Sequence, residues 1–243
     1  MAVAQRSIWS FARFVPKDIV KGIIDSSIST ELGGMRQEVT ILFTDVTNFT
    51  GISEAADPDS LMRQTSRHLA ALTETFHTEG GTVDKFIGDS VMVFWNAPHP
   101  QPDHVERACR AALAAKAASD ALNTQFEAEG LPPFGVRVGI HSGDAVVGNV
   151  GSADRMNYTV LGNSVNLAAR LEGLNKEYGT TILVSEAVRN RVERSFRFKA
   201  IASVVAKGMT TETRVYELVE AVAEDALRLR VEPSATAPGT RRC

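Results

Sequence analysis

The sequence predicts an α+β fold, an α/β sandwich on a ferredoxin-like βαββαβ core with additional strands and helices. Three observations predict it. Residues 80–95, GGTVDKFIGDSVMVFW, read as a β-hairpin: a β-prone run, the turn dipeptide Gly88-Asp89, then a more apolar run. Two stretches of helical period flank that hairpin, one starting at Asp57-Pro58 and one after Asp103. Apolar runs of strand length precede the first and follow the second, giving the order β-α-β-β-α-β with the helices expected on one face.

Residues 1–30 form a separate element. Trp9, Phe11 and Phe14 precede Val15-Pro16, and Ile19, Val20, Ile23, Ile24 and Ile28 follow at helical spacing, with the proline suited to a first turn. Two readings stay open: an amphipathic helix folded back on the globular domain, or one that pairs with a partner chain or relays an upstream signal. Residues 31–37, with Gly33-Gly34, read as a flexible linker. Residues 38–44 are the first strand, and 46–49 turn into a short helix. Asp57 is an N-cap, and Leu61, Leu69, Leu72 and Phe76 mark the buried side of a helix ending at Gly80-Gly81. After the hairpin, Val105, Ala108, Cys109, Ala112, Ala115, Ala118, Leu122 and Phe126 mark a long helix whose small residues permit close packing. Residues 134–141 and 144–150 read as two strands joined at Ser142-Gly143, 151–157 as a polar loop, and 160–175 as a helix beginning near Gly162-Asn163. A strand at 180–184, a short helix at 185–192 and a closing strand pair at 196–205 and 214–219 complete the domain. Periodicity is lost after Ala223, so 223–243 reads as a disordered tail.

The chain has 243 residues, 44% hydrophobic and 23% charged, which suits one sizeable core with extensions. A net charge of -3 supplies no basic field, so nucleic acid is not an expected partner. The two cysteines, Cys109 and Cys243, form neither a disulfide framework nor a metal motif. No apolar run reaches membrane-span length. The expected location is cytoplasmic, either free or as the cytosolic part of a membrane-associated protein.

The chemistry starts from two carboxylates. Asp45 ends an apolar strand, and Asp89 sits at the hairpin tip. Aspartates ending neighbouring buried strands make an oxygen-rich site for a hard divalent cation, and such pairs can hold two ions that clamp an attacking and a leaving oxygen at phosphorus. Thr47, Asn48 and Phe49, entering a helix, offer backbone N–H groups to a phosphate chain. Asn166 and Arg170, at i and i+4, point the same way from one helix.

Four blocks then carry a resemblance: FTDVTNFT at 43–50, KFIGD at 85–89, RVGIHSG at 137–143 and GNSVNLAAR at 162–170. Together, in this order and spacing, they resemble the class III nucleotidyl cyclase catalytic domain, over residues 38–222. The resemblance implies the nucleotide cyclase fold and a site using two Mg²⁺ or Mn²⁺ ions, held by Asp45, Asp89 and the Val46 carbonyl. It implies that Lys85 reads the base together with Thr159, which stands where many members carry an aspartate, as in a bacterial adenylyl subclass. It further implies that Asn166 orients the ribose, that Arg170 stabilises charge growing on the α-phosphate, and that Arg137 and Lys207 contact phosphate. His141 is expected to be a packed strand histidine. A lysine can donate to adenine N1 and a threonine oxygen can accept from N6, the reverse of what guanine requires.

The expected activity is therefore conversion of ATP to 3′,5′-cyclic AMP and pyrophosphate, in signal transduction downstream of a sensor or membrane region. In the family the site lies between two catalytic domains, so a homodimer with two shared sites is expected. Two alternatives stay open: a guanylyl cyclase, and a non-catalytic nucleotide-binding regulatory domain. A related polymerase or dinucleotide cyclase is disfavoured, because the hairpin turn reads Ile87-Gly88-Asp89-Ser90 and lacks the acidic loop those enzymes carry.

Overall fold

A computed structural model of the chain describes residues 17–24, 29–152, 154–205 and 212–223. Its elements run α1 (Lys17–Ile24), β1 (Gly33–Val46), α2 (Phe49–Ala55), α3 (Pro58–Thr78), β2 (Thr82–Ile87), β3 (Ser90–Trp95), α4 (His104–Ala128), β4 (Val136–Gly151), β5 (Met156–Leu161), α5 (Asn163–Tyr178), β6 (Ile182–Ser185), α6 (Glu186–Val192), β7 (Phe196–Val205) and β8 (Glu212–Ala221). The strands form one sheet in the order β2-β3-β1-β4-β6-β8-β7, with β5 paired to β4. Strands β1 to β4 with α3 and α4 are the expected βαββαβ core.

Side-chain alternation along β1 separates two apolar layers. Leu42 points into a cluster with Leu72 and Phe76 of α3 and Val105, Ala108 and Ala112 of α4. Its neighbour Ile41 points the other way, to Met92, Phe94, Val160 and Ala168. The sheet is thus covered on both faces: the core helices α3 and α4 share one, as expected, and the added helix α5 packs on the other. The stripe Leu167, Leu171 and Leu174 turns α5 toward Leu183 and Val215. On the α4 face, Ala108, Ala111, Ala112 and Ala115 are fully buried, so this long helix lies close to the strands. The Asp57 carboxylate caps α3 by accepting from the Ser60 amide at 2.9 Å.

Glycine misleads a sequence reading here in two places. Residues 31–37 are not a linker: β1 begins at Gly33 and pairs with β4 from Gly33↔Asn149 onward. A Cβ on Gly148 would lie 2.1 Å from the Gly33 carbonyl oxygen, and one on Gly34 2.9 Å from the Val147 oxygen, so these glycines permit close strand approach. Ser142-Gly143 is likewise no turn. Both residues pair with β1, opposite Thr40 and Val39, and β4 runs unbroken as one strand of 16 residues. The expected loop at 151–157 shrinks accordingly, because Met156–Leu161 returns along β4 as β5. The next helix starts at Asn163, where Gly162-Asn163 was expected to begin it, and Val160 and Leu161 belong to β5.

Helix α5 rests on β4 backbone to backbone. A Cβ on Gly139 would lie 2.1 Å from the Glu172 nitrogen and 2.4 Å from the Ala168 oxygen. The Asn175 side chain pins the same contact by donating to the Val138 carbonyl at 2.9 Å. In α1, Ile19 is buried whereas Ile23 and Ile24 are exposed. Among the described residues no helix is long and apolar enough to cross a membrane. The readings at Trp9, Phe11, Phe14, Ile28 and Lys207, and for the tail beyond residue 223, lie outside the described residues.

Gly139→Ala should force α5 off the sheet and destabilise the domain by roughly 3 kcal/mol or more, as overpacking against backbone does. The urea unfolding midpoint measures it; a midpoint equal to that of the parent chain would show that α5 is not seated there.

Candidate active site

The β2–β3 hairpin and the end of β1 form one half of the site. Gly88, at φ 65, supplies the turn conformation that places Asp89 at the tip. Two bonds stitch this tip to β1. The Asp89 carboxylate accepts from the Val46 amide at 2.9 Å, and the Ser90 hydroxyl donates to Asp45 at 3.0 Å. The two aspartates predicted from strand ends are therefore neighbours. Burial first, and then the negative charge of Asp45, hold the Asp89 carboxyl above its ordinary value, against the opposing pull of the Val46 amide.

Asp45 stands directly opposite Arg137 in the β1–β4 register, so their side chains share a face and form an ion pair. Arg137 also donates to Glu172 of α5 at 3.2 Å. The predicted phosphate arginine thus lies between two carboxylates. Glu172 was not anticipated. Its signal is the Gly139 of RVGIHSG, which seats α5 so closely that the helix turns Glu172 toward Arg137. Burial above all, then the charge of Asp45, push the Glu172 carboxyl up to about 7, although Arg137 pulls the other way.

The amides at 47–49 are less uniform than expected. The Thr47 N–H donates to the Gly135 carbonyl at 2.7 Å, which removes it as a phosphate donor. The Asn48 and Phe49 amides, at the head of α2, remain candidates. Asn48 has φ 59, and the Phe49 ring packs edge-on against Phe134. A cleft of about 370 Å³ beside them is lined by Thr47, Gly135, Arg137, Lys116 and Lys176, but not by Asp45 or Asp89.

The second half of the site lies where β5 meets β2. Lys85 Nζ donates to the Thr159 hydroxyl at 3.3 Å, so the two predicted base readers come together within one chain. Thr159 is 3% exposed, whereas the Lys85 side chain is 40% exposed. A third member was not anticipated: Asp84, whose side chain is 2% exposed, accepts the Thr159 hydroxyl proton and pairs with Lys85 at 3.5 Å.

Asn166 and Arg170 point elsewhere. Both are exposed on α5, and Arg170 pairs with Glu177 of its own helix at 3.5 Å. Among the described residues neither makes a hydrogen bond or ion pair with Asp45, Asp89, Lys85 or Thr159. Helix geometry explains it: residues 170 and 172 are about 200° apart, so turning Glu172 inward turns Arg170 outward. His141 donates to or accepts from Ser185 at 2.7 Å, and burial brings its pKa down to about 4, which marks it as the packed histidine expected.

No group of three or more His, Cys, Asp or Glu side chains fit for a metal occurs among the described residues. The candidate ligands are two carboxylates and the Val46 carbonyl, all hard oxygens. Neighbouring carboxylates, one of them with a raised pKa, concentrate negative charge that a divalent cation would neutralise, so the residues present fit such an ion.

Comparison with known proteins follows the same lines. The family described as the adenylate and guanylate cyclase catalytic domain matches residues 34–220. "Adenylate cyclase 1" of Rhizobium meliloti (strain 1021) is 42% identical over 90% of this chain and 33% of its own. "Adenylate cyclase" of Anabaena cylindrica is 34% identical over 88% of this chain and 43% of its own. The chain therefore spans less than half the length of these curated relatives. Among solved structures, the adenylyl cyclase CyaB from P. aeruginosa is similar at TM-score 0.74 and 30% identity, over 80% of this chain and 99% of that one. The guanylyl cyclase Cya2 is similar at TM-score 0.74 and 29% identity, over 79% and 97%.

Glu172 also predicts a pH dependence. Between its ordinary 4.5 and about 7, the folded state holds a proton that the unfolded chain has released, so this group's contribution to stability falls as pH rises through that window. In metal-free protein, Glu172→Gln should match the parent near pH 4.5 and become progressively more stable than it toward pH 8. Urea unfolding at several pH values measures the difference; a gap that does not grow with pH contradicts the assignment.

Proposed function

The chain belongs to the adenylate and guanylate cyclase catalytic-domain family, and on that premise we propose that it is an adenylyl cyclase forming 3′,5′-cyclic AMP and pyrophosphate from ATP. The observation that carries this reading is the contact of Lys85 with Thr159. It sets a cationic donor beside a hydroxyl oxygen, matching adenine N1 and N6. Guanine presents N1–H and O6 at those positions and would meet a donor with a donor. The overall likeness is equal for an adenylyl and a guanylyl cyclase structure, so the base readers and not the fold support the choice of purine.

Asp45, Asp89 and the Val46 carbonyl would hold Mg²⁺ or Mn²⁺, two ions in the full reading, which supply Lewis-acid stabilisation of the reacting oxygens. The chain's own residues do the rest. Lys85 and Thr159 orient the purine, and Asn166 holds the ribose. The ribose 3′-oxygen then lies in line with the α-phosphorus; the new P–O bond forms as the bond to pyrophosphate breaks, and the hydroxyl proton leaves to solvent. Arg170, a planar fork that stays charged, stabilises the α-phosphate as charge grows on it. The Asn48 and Phe49 amides, Arg137 and Lys207 receive the departing phosphates. Because Arg170 and Asn166 face away from Asp45, the site is divided between two copies. One copy gives the aspartates, and its partner gives the base readers with Asn166 and Arg170. A two-fold homodimer then carries two equivalent sites.

Turnover of ATP and of GTP, each with Mg²⁺ and with Mn²⁺, tests the reading. ATP should be converted with the higher kcat/KM, and Lys85→Glu should lower that value at least about tenfold. Conversion of GTP in preference to ATP would reassign the chain as a guanylyl cyclase, and conversion of neither would make it a binding domain.

A further inference from the structure

We infer that Asp84 is a positioning residue for base selection, which fixes the Thr159 hydroxyl as an acceptor. The inference rests on the proposed adenine-binding role of Lys85 and Thr159, and adds a residue to it.

The starting point is a fault in strand regularity. In β2, Val83 pairs with Val93 and Lys85 with Met92, so Asp84 is an extra residue without its own cross-strand partner. In an unbroken strand, Asp84 and Lys85 would point to opposite faces. A bulge removes that alternation and re-aims the side chains. Here both consecutive residues reach the same hydroxyl, that of Thr159 on β5. Phe94 of β3, the strand paired with β2, meets Tyr158 of β5, their ring centroids 6.4 Å apart.

Counting donors and acceptors then determines what the site can recognise. A threonine hydroxyl has one proton and two lone pairs. The Asp84 carboxylate takes the proton, and Lys85 donates to one lone pair. One lone pair remains, so toward a ligand Thr159 can only accept. Lys85 has three protons. One goes to Thr159 and one faces Asp84 at 3.5 Å, leaving a donor for a ring nitrogen. A donor beside an obligate acceptor fits N1 and N6–H of adenine. Without Asp84 the hydroxyl would be free to rotate and donate, and the site would tolerate an oxygen at position 6. The Asp84 carboxylate, as buried as Thr159, is spent on the Thr159 hydroxyl and Lys85. Burial raises its carboxyl pKa, while Thr159 and Lys85 pull it back toward the ionised form that this arrangement uses.

The test compares ATP with purine riboside triphosphate, which keeps N1 but lacks the N6 amino group, and with inosine triphosphate, which carries oxygen there. In the parent chain kcat/KM should favour ATP over purine riboside triphosphate by roughly five- to tenfold, the size of one neutral hydrogen bond. Asp84→Leu, similar in volume and without an acceptor, should bring that ratio close to one and raise the relative use of inosine triphosphate. Thr159→Val should do the same, and the double variant should add nothing further. Asp84→Ala gives the same readout should the leucine variant fail to fold. Equal losses on ATP and purine riboside triphosphate would mean that Asp84 only supports the fold, and an unchanged ratio would mean that it does not set the hydroxyl. Either outcome overturns the inference. A parent chain that turns over none of these nucleotides would instead remove the adenylyl cyclase reading on which it rests.

Discussion

The contact of α5 with β4 at Gly139 is the constraint from which the site follows. With no side chain between them, helix backbone lies against strand backbone, and the rotation of α5 about its axis is fixed. Ala168 and Leu171 then face the sheet, Glu172 meets Arg137, and Asn166 and Arg170 are left on the outer surface. A helix can present a given residue to one side only. The cluster of Asp45, Arg137 and Glu172 and the groups proposed to act on the sugar and α-phosphate thus lie on different sides of the same helix.

The charge balance around Asp45 follows from the same placement. Asp45 and Glu172 share one guanidinium, that of Arg137, and Asp89 stands beside Asp45. Burial first, and then the charge of Asp45, raise the affinity of Asp89 and Glu172 for protons. The same surplus of negative charge is what makes the cluster a candidate for a divalent cation. At the other end of the hairpin the chemistry is different. Lys85, Asp84 and Thr159 form a small polar network in which the Thr159 proton is taken by Asp84 and one Lys85 proton is left over. One hairpin therefore carries an acidic end suited to a divalent cation and a hydrogen-bonding end suited to a purine.

Much of this was legible in the residues. The hairpin around Gly88-Asp89, the capped helix after Asp57 and the alanine-rich helix follow from turn chemistry and period. Asp45, Asp89, Lys85 and Thr159 could be named because they stand at strand ends or in motifs whose resemblance is specific. What escaped has physical reasons. Gly33-Gly34 and Gly143 look like a joint and a turn, but glycine serves equally where backbones must touch, and a single sequence does not tell the two uses apart. Mistaking Ser142-Gly143 for a turn cut β4 in two and hid β5. Asp84 was missed because strand alternation assigns it to the face opposite Lys85, and a bulge leaves no mark in the sequence. Glu172 was missed because its partner is set by the rotation of α5, a tertiary outcome. The Thr47 amide was overcounted because its claim by Gly135 is made across the fold.

The central claim is that one copy cannot complete the reaction with its own Asp45 and Arg170. It is tested most directly by co-purifying two inactive variants, Asp45→Ala and Arg170→Ala, as mixed pairs. In a mixed pair one of the two sites carries both substitutions and the other carries neither. The account predicts that cyclic AMP formation returns, to about a quarter of the parent rate for a random mixture, since half the pairs are mixed and each has one intact site of two. Cyclic AMP formation no higher than that of either variant alone, from pairs shown to be mixed, would contradict it.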